Sequence, residues 1–538
     1  MLLHQLKYLF FLTLSIYTLS VQAQHKKNYP TKKIQYYQNP IIHADYSDPD
    51  VIRVDNDYYM VASSFNATPG LPILHSIDLV HWNLITHALP VQIPIHVFDK
   101  PQHGNGVWAP SIRYHHNEFY IFYPDPDFGI YLTKASKITG PWSVPVLVEA
   151  GKGLIDPCPL WDDDGKVYLV HAYAGSRAGF KSILVIKQLN ATADKVIGNT
   201  VLVYDGHDID PTIEGPKLYK QHGYYYIFAP AGGVGTGWQT VLRSTSIYGP
   251  YQRKVVMQQG STNINGPHQG AWVHTASKQD WFIHFQDKGV YGRVVLLQPM
   301  QWKNDWPIIG QDADGDGIGE PVQNYTMPKT SNIVIQKKQY FNDECNSNKL
   351  GLQWQWQANP KPNWAFCFPA KGVIRLNSIV PPSTAKNLWD VPNVLLQKFC
   401  DSSFTATAKI TFVPKTVDEK FGLIVMGTNY AAIELVNNAD GIYLAYTNCV
   451  QADKGKKPTE FIITKLDTAS LYLKLYVDST ATCTFSYSLD GQVFTAIDEK
   501  FIAMPGKWIG ATFGFFCTRK ITTNDAGFAE IDWVKINE

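Results

Sequence analysis

Five times between Ser47 and Gln286 the chain repeats one pattern: a short apolar run, a polar turn, and a second run rich in Tyr, Phe or Trp. The segments are SDPDVIRVDNDYYMVASS from Ser47, WAPSIRYHHNEFYIFYP from Trp108, IDPCPLWDDDGKVYLVHAY from Ile155, IEGPKLYKQHGYYYIFAPA from Ile213 and GAWVHTASKQDWFIHFQ from Gly270. The first four carry a Pro near their start, after a small or acidic residue. Their spacing, roughly 50 to 60 residues, suits propeller blades of about four strands each. The repeat therefore predicts an all-β fold, a five-bladed β-propeller over residues 35–325. An irregular β-sandwich, whose strands also alternate with turns, is the alternative.

In a propeller the innermost strands line a central channel, so residues at the start of each first strand converge on one mouth. That placement gathers Asp48, Asp156 and Glu214 from three different repeats. Taken singly, each reads as a turn residue, because acidic residues beside Gly and Pro commonly stabilise turns. Taken together they match what hydrolysis of a glycosidic bond requires. One carboxylic acid protonates the leaving oxygen and one carboxylate activates water or attacks the sugar. A third carboxyl nearby keeps the acid protonated by like-charge repulsion.

After DADGDGIGEPV (Asp312 to Val322) the texture changes, NYTMPKTSN reads as a linker, and a second β-rich region covers residues 335–538. LYLKLYVDS places Leu471, Leu473, Leu475 and Val477 on one strand face, and Asp490-Gly491 marks a hairpin turn. This region reads as a β-sandwich. Asp312, Asp314 and Asp316 resemble the front of an EF-hand loop, but the twelfth position is Gln323 rather than Glu, so the motif is incomplete and reads as a polar turn.

A net charge of +1, with both signs spread along 538 residues, argues against a nucleic-acid or polybasic membrane partner. Residues 1–23 carry Lys7, an apolar run from Tyr8 to Val21 and a small-residue end at Ala23. They read as a cleaved signal peptide, too short in its apolar run for a membrane span, and the product is expected to be exported. Six of the seven cysteines follow residue 340, which would permit disulfides in an exported domain. No CxxC pair is present to suggest zinc.

The chain resembles glycoside hydrolase family 43, in the branch of β-xylosidases and α-L-arabinofuranosidases. The likeness is carried by YSDPDVIRV, SSFNATPGLPILHSIDLVHW, GVWAPSIRYHHNEFYIFY, IDPCPLWDDDGKVYLV, IEGPKLYKQHGYYYIF, GPHQGAWV, GRVVLLQPMQW and GIGEPV. In the second region VPNVLLQKF and FGLIVMGTNYA are similar to the concanavalin-like accessory domain often joined to these propellers. The resemblance implies Asp48 as general base, Glu214 as general acid, and Asp156 as the residue that tunes and orients that acid. It implies inversion at the anomeric carbon, with base and acid about 6.5–9.5 Å apart. It implies sugar contacts from Arg293, and a pocket shaped by Trp108 and Phe65, which as bare sequence read as core. His268 matches a histidine that in relatives faces a channel calcium, often through water. The chemistry requires no cofactor, and any calcium would be structural. The expected substrate is a hemicellulose-derived oligosaccharide or polysaccharide that loses terminal xylose or arabinofuranose. A carbohydrate-binding propeller without catalysis, or the same fold acting on another glycan such as galactan, are the alternatives.

Overall fold

The computed structural model describes residues 35–329 and 341–537. The predicted signal peptide lies outside them. Five four-stranded antiparallel sheets, each built from four consecutive strands, form the blades of a propeller. Their inner strands are Asp50–Val54, Ser111–His115, Leu154–Trp161, Lys217–Gln221 and His268–His274. These are the first strands of the five sequence repeats, and each pairs with the aromatic-rich second strand of its repeat.

The strands alternate or run continuously apolar because each blade packs on two neighbours, and every junction has its own apolar cluster. Blades 1 and 2 share Val61, Ile73, Ile112 and Ile121; blades 3 and 4 share Ile155, Val170, Leu218 and Ile227. Blades 2–3, 4–5 and 5–1 are joined in the same way around Phe122 and Leu169, Phe228 and Phe282, and Met60 and Ile283. Each such side chain, when fully buried, contributes about 1.5–3 kcal/mol. The site above therefore rests on a stiff ring.

The ring closes without exchanging a strand between blades. Tyr36–Gln38 pairs with Asn324–Thr326, so the stretch read as a linker begins as a strand. Asn39 clamps the closure, its Nδ2 donating to the carbonyls of Leu297 (2.9 Å) and Val322 (2.7 Å) while its Oδ1 accepts from the Leu297 amide. Below the pocket mouth the channel is filled by side chains. Arg113 pairs with fully buried Asp50 at 2.6 Å, and buried Lys217 donates to Pro110 O (3.1 Å) and Ser111 Oγ (3.0 Å).

Two seven-stranded sheets make the second domain. Leu471, Leu473, Leu475 and Val477 all point into its core, as alternation predicted. Ser488 and Asp490 cap the hairpin turn at Gly491, between strands Thr482–Ser488 and Thr495–Ile502. Cys345, Cys449, Cys483 and Cys517 are buried thiols that fill the core of this domain as small side chains, whereas Cys158 in the propeller accepts an Arg113 N–H at 2.7 Å. The sandwich docks on the propeller through backbone and amide bonds that fix its register. Thr68 and Trp356 exchange both backbone hydrogen bonds (3.0 and 2.7 Å), and Asn359 exchanges two with the Gln92 backbone (2.7 and 2.9 Å).

Candidate active site

Asp48 and Asp156 stand immediately before Pro49 and Pro157, each in the left-handed backbone region at φ 55° and 58°. Asp tolerates this conformation better than most residues because its short polar side chain bonds locally. In the fourth blade the left-handed residue before Pro216 is Gly215, at φ 60°. The acidic residue there is thus one position out of step with the other two. A side chain at Gly215 has no room, since a Cβ would lie 2.6 Å from Gln269 Cγ. Glu214 has both the extra position and an extra methylene, and its side chain stays 25% exposed while Asp48 and Asp156 are buried.

The three carboxyls have different surroundings. Ser47 Oγ (2.7 Å) and Ser63 Oγ (2.5 Å) donate to Asp48 Oδ2, and Arg293 donates an N–H to Asp48 Oδ1 at 3.2 Å. Every one of these contacts uses Asp48 as an acceptor, as an ionised carboxylate offers itself. Asp156 accepts the Gly215 amide at 2.7 Å. Burial, reinforced by the charges of Glu214 and Asp48, pushes the Asp156 carboxyl up to about 8; the Gly215 amide and Lys217 pull the other way. Near neutrality these surroundings favour the protonated form of Asp156. Tuning was expected of Asp156 acting on Glu214; the structure places the lifted carboxyl on Asp156 itself, the more buried partner.

Arg293 is held from three sides. Its guanidinium also donates to Ser47 Oγ at 2.7 Å and lies over the Phe285 ring at 4.8 Å. Trp108 is partly exposed and meets Phe65 edge-on with ring centres 6.5 Å apart; its Nε1 donates to Gly104 O at 2.9 Å. Phe65 is buried behind it, at φ 49°, fixed by paired backbone bonds with Val107 (2.9 and 3.1 Å). Trp108 therefore presents a wall that Phe65 supports.

His268 is brought against the acid: its Nε2 lies 2.9 Å from Glu214 Oε1. Its Nδ1 is buried without a hydrogen-bond partner among the described residues. Calcium takes six to eight oxygen ligands, and one imidazole nitrogen does not supply them. Among the described residues the cluster within metal-ligand reach is Asp312, Asp314 and Asp316. There Asp312 accepts the amides of Gly315 (2.8 Å) and Gly317 (3.1 Å), the pattern of an Asx-stabilised polar turn.

Ser47, Ser63, Trp508 and Asp45 went unread in the sequence. Ser47 and Ser63 carry no motif apart from their neighbours. Trp508 belongs to the sandwich, yet its ring lies 6.4 Å from that of Trp108 and 5.6 Å from the Arg293 guanidinium. Asp45 anchors its loop, accepting the Arg293 amide at 2.9 Å and the Gly510 amide at 3.1 Å. A Gly-Lys-Trp in a distant domain gives no periodic signal that would announce this.

Comparison with known proteins covers both domains. Residues 37–307 match the model of glycosyl hydrolases family 43, and residues 342–537 match the beta xylosidase C-terminal concanavalin A-like domain. A relative from Xylanibacter ruminicola, provisionally named a beta-xylosidase, is 36% identical over 90% of this chain and 86% of its own. A beta-xylosidase of Formosa agariphila is 30% identical over 92% of this chain and 89% of its own. A non-reducing end alpha-L-arabinofuranosidase of Bacteroides ovatus is 30% identical over 72% and 73%. Among solved structures, a GH43 protein from Bacillus licheniformis superposes with a TM-score of 0.80 at 25% identity, covering 93% of this chain and 99% of its own. The propeller and its appended sandwich thus have one common explanation: the chain belongs to glycosyl hydrolases family 43 and is a glycoside hydrolase.

Proposed function

We propose that this enzyme is an exo-acting, inverting glycosidase that releases terminal xylose or arabinofuranose from hemicellulose-derived glycans, after export from the cell. The observation that carries the reading is the division of labour among the three carboxyls. Asp48 is ringed by donors, Asp156 is buried with its carboxyl pushed up to about 8, and Glu214 stays 25% exposed. In the reaction a water attacks the anomeric carbon while Asp48 takes its proton. The glycosidic bond breaks as Glu214 gives its proton to the leaving oxygen. Solvent then returns a proton to Glu214 and removes one from Asp48. His268 holds the Glu214 carboxyl in place from the side opposite bulk water. A structural calcium would meet His268 only through water at Nδ1, and no step is routed through it.

Exo action is supported by Trp508 of the sandwich, which stands beside Trp108 and the Arg293 guanidinium and narrows the pocket around a terminal sugar. The pentose reading is supported by the names of the relatives, beta-xylosidases and an alpha-L-arabinofuranosidase among them. The test is release of sugar from aryl β-D-xylosides and aryl α-L-arabinofuranosides of graded leaving ability, by wild type and Glu214→Gln. Good leaving groups need little acid assistance. Loss in the variant should grow from less than tenfold on the best leaving group to more than a hundredfold on the worst. A uniform loss across the series would remove Glu214 from the acid's role. No turnover of either pentoside would redirect the reading to another glycan, galactan included, or to a binding module.

A further inference from the structure

At the end of the channel away from the carboxyls, the five inner strands surround a second cavity of about 450 Å³. Its walls are the closing residues of those strands: 51–53, 113–115, 159–161, 218–220 and 272–274. The Arg113–Asp50 pair and buried Lys217 fill the channel between the two ends. Each seam between blades is bridged here. Arg113 of blade 2 holds Asp50 of blade 1 at 2.6 Å, and Lys220 of blade 4 holds Asp162 of blade 3. His115 of blade 2 stacks on Trp161 of blade 3, with ring centres 4.8 Å apart and planes 18° off parallel. The Tyr219 hydroxyl of blade 4 accepts the Trp272 amide of blade 5 at 3.1 Å. Arg53 of blade 1 closes the circle, its Nε donating to the His274 carbonyl of blade 5 at 2.8 Å. These bridges fix the lining groups in place before any ligand arrives.

The formal charge of the lining is of one sign. Arg53, Arg113 and Lys220 line the cavity with His115 and His274, and among the described residues no acidic side chain does. Carboxylates stand behind three of them: Asp50 behind Arg113, Asp162 behind Lys220 and Asp280 behind His274. Exposed Asp163 also meets Lys220, at 3.1 Å. Arg53 differs. Its Nε and Nη1 donate to the backbone carbonyls of His274 and Asp55 (2.7 Å), and it pairs with no carboxylate among the described residues. Its Nη2 makes no hydrogen bond among them, so an amino group and a positive charge are left for a ligand. A cleft lined by cations concentrates anions, and a guanidinium fork suits a carboxylate. Across the ring from Arg53, His115 and Trp161 present ring surface. Aromatic walls with a few placed polar groups are what a small ring ligand requires, and the volume lies in the range of such sites. We infer that this cavity is a second, non-catalytic binding site for a carboxylate-bearing pyranose. Arg53 takes the carboxylate, and the His115–Trp161 wall packs on the C–H face of the sugar. The site stands apart from the acid and base assignments and from the pentose reading, since it shares no residue with the catalytic pocket. A glycan held here leaves the catalytic mouth open at the opposite end of the channel.

The experiment titrates glucuronate, glucose and inorganic phosphate into wild type, Arg53→Ala, Arg53→Lys and Trp161→Leu by calorimetry, beside inhibition assays on an aryl pentoside. Wild type should bind glucuronate with a Kd of about 1 mM, and glucose about tenfold more weakly or worse. Arg53 is exposed, so its loss spares the fold. Arg53→Ala should weaken glucuronate about tenfold, and Arg53→Lys should recover part of that. Trp161→Leu should weaken glucuronate about fivefold and leave phosphate within about twofold. Unchanged glucuronate affinity in Arg53→Ala, or equal affinity for glucuronate and glucose, would overturn the site. Phosphate bound as tightly as glucuronate, with no effect of Trp161→Leu, would reduce it to an anion site and overturn the sugar. Competitive inhibition of the pentoside by glucuronate would place the ligand in the catalytic pocket and overturn it as well.

Discussion

The guanidinium of Arg293, bound to Asp48, lies 5.6 Å from the ring centre of Trp508, so a residue of the sandwich stands beside the partner of the proposed base. Asp45 ties the two domains at this point by accepting both the Arg293 and Gly510 amides. The accessory domain is thereby part of the pocket rather than an appendage.

Trp508 is 54% exposed, so removing it costs little packing. Trp508→Ala should leave the melting temperature within about 2 °C, as surface changes usually stay within ~0.5 kcal/mol. Its kcat/KM should nevertheless fall about tenfold or more, and Trp508→Phe should recover most of it. Steady-state kinetics beside a thermal melt separate the two effects. Full activity in Trp508→Ala would remove the sandwich from the pocket.

The Asp156 carboxyl, pushed up to about 8, also sets a stability trend. Between its ordinary value near 3.8 and about 8, the unfolded chain releases this proton and the folded chain keeps it. The folded state binds more protons, so this group's contribution to stability declines as pH rises through that window. Asp156→Asn removes the titration. The variant should melt higher than wild type at pH 7–8, by about 2–4 °C for each 1 kcal/mol relieved, with the gap closing toward pH 4. Its activity should drop at least a hundredfold, because the carboxyl that orients the acid is gone. A gap that widened on acidification would contradict the assignment.

Gly215 occupies the left-handed position that Asp48 and Asp156 occupy in their blades. Gly215→Ala combines an unfavourable φ with a Cβ pressed to 2.6 Å from Gln269. Strain of about 1–3 kcal/mol is expected. The adjacent Glu214 would shift, so the loss of kcat/KM should be greatest on poor leaving groups. Leaving-group plots for Gly215→Ala that overlay wild type would show that the turn does not aim the acid.

How far the sequence could be read depended on which features repeat. The aromatic second strands recur five times and the Pro-marked strand starts four times, so the blades and the convergence of Asp48, Asp156 and Glu214 were legible. The one-residue offset of Glu214 was legible too, in Glu-Gly-Pro against the two Asp-Pro pairs; its cause, a left-handed backbone with no room for a side chain at Gly215, was not. The closing strand Asn324–Thr326 lay hidden in a stretch of linker-like composition, since its partner is the lone strand Tyr36–Gln38 at the other end of the ring. Trp508 was out of reach for a related reason: its contacts with Trp108 and Arg293 cross domains, and neither periodicity nor turn chemistry encodes such a meeting. Local chemistry was readable wherever it repeated, and tertiary docking was not.

The most direct test of the account is the anomeric form of the first sugar released, followed by proton NMR before mutarotation. With Asp48 activating water rather than attacking the sugar, the product should appear in the configuration opposite to that of the bond cleaved, and the equilibrium mixture should follow. First appearance of the retained anomer would mean a covalent intermediate, and would contradict Asp48 as the base.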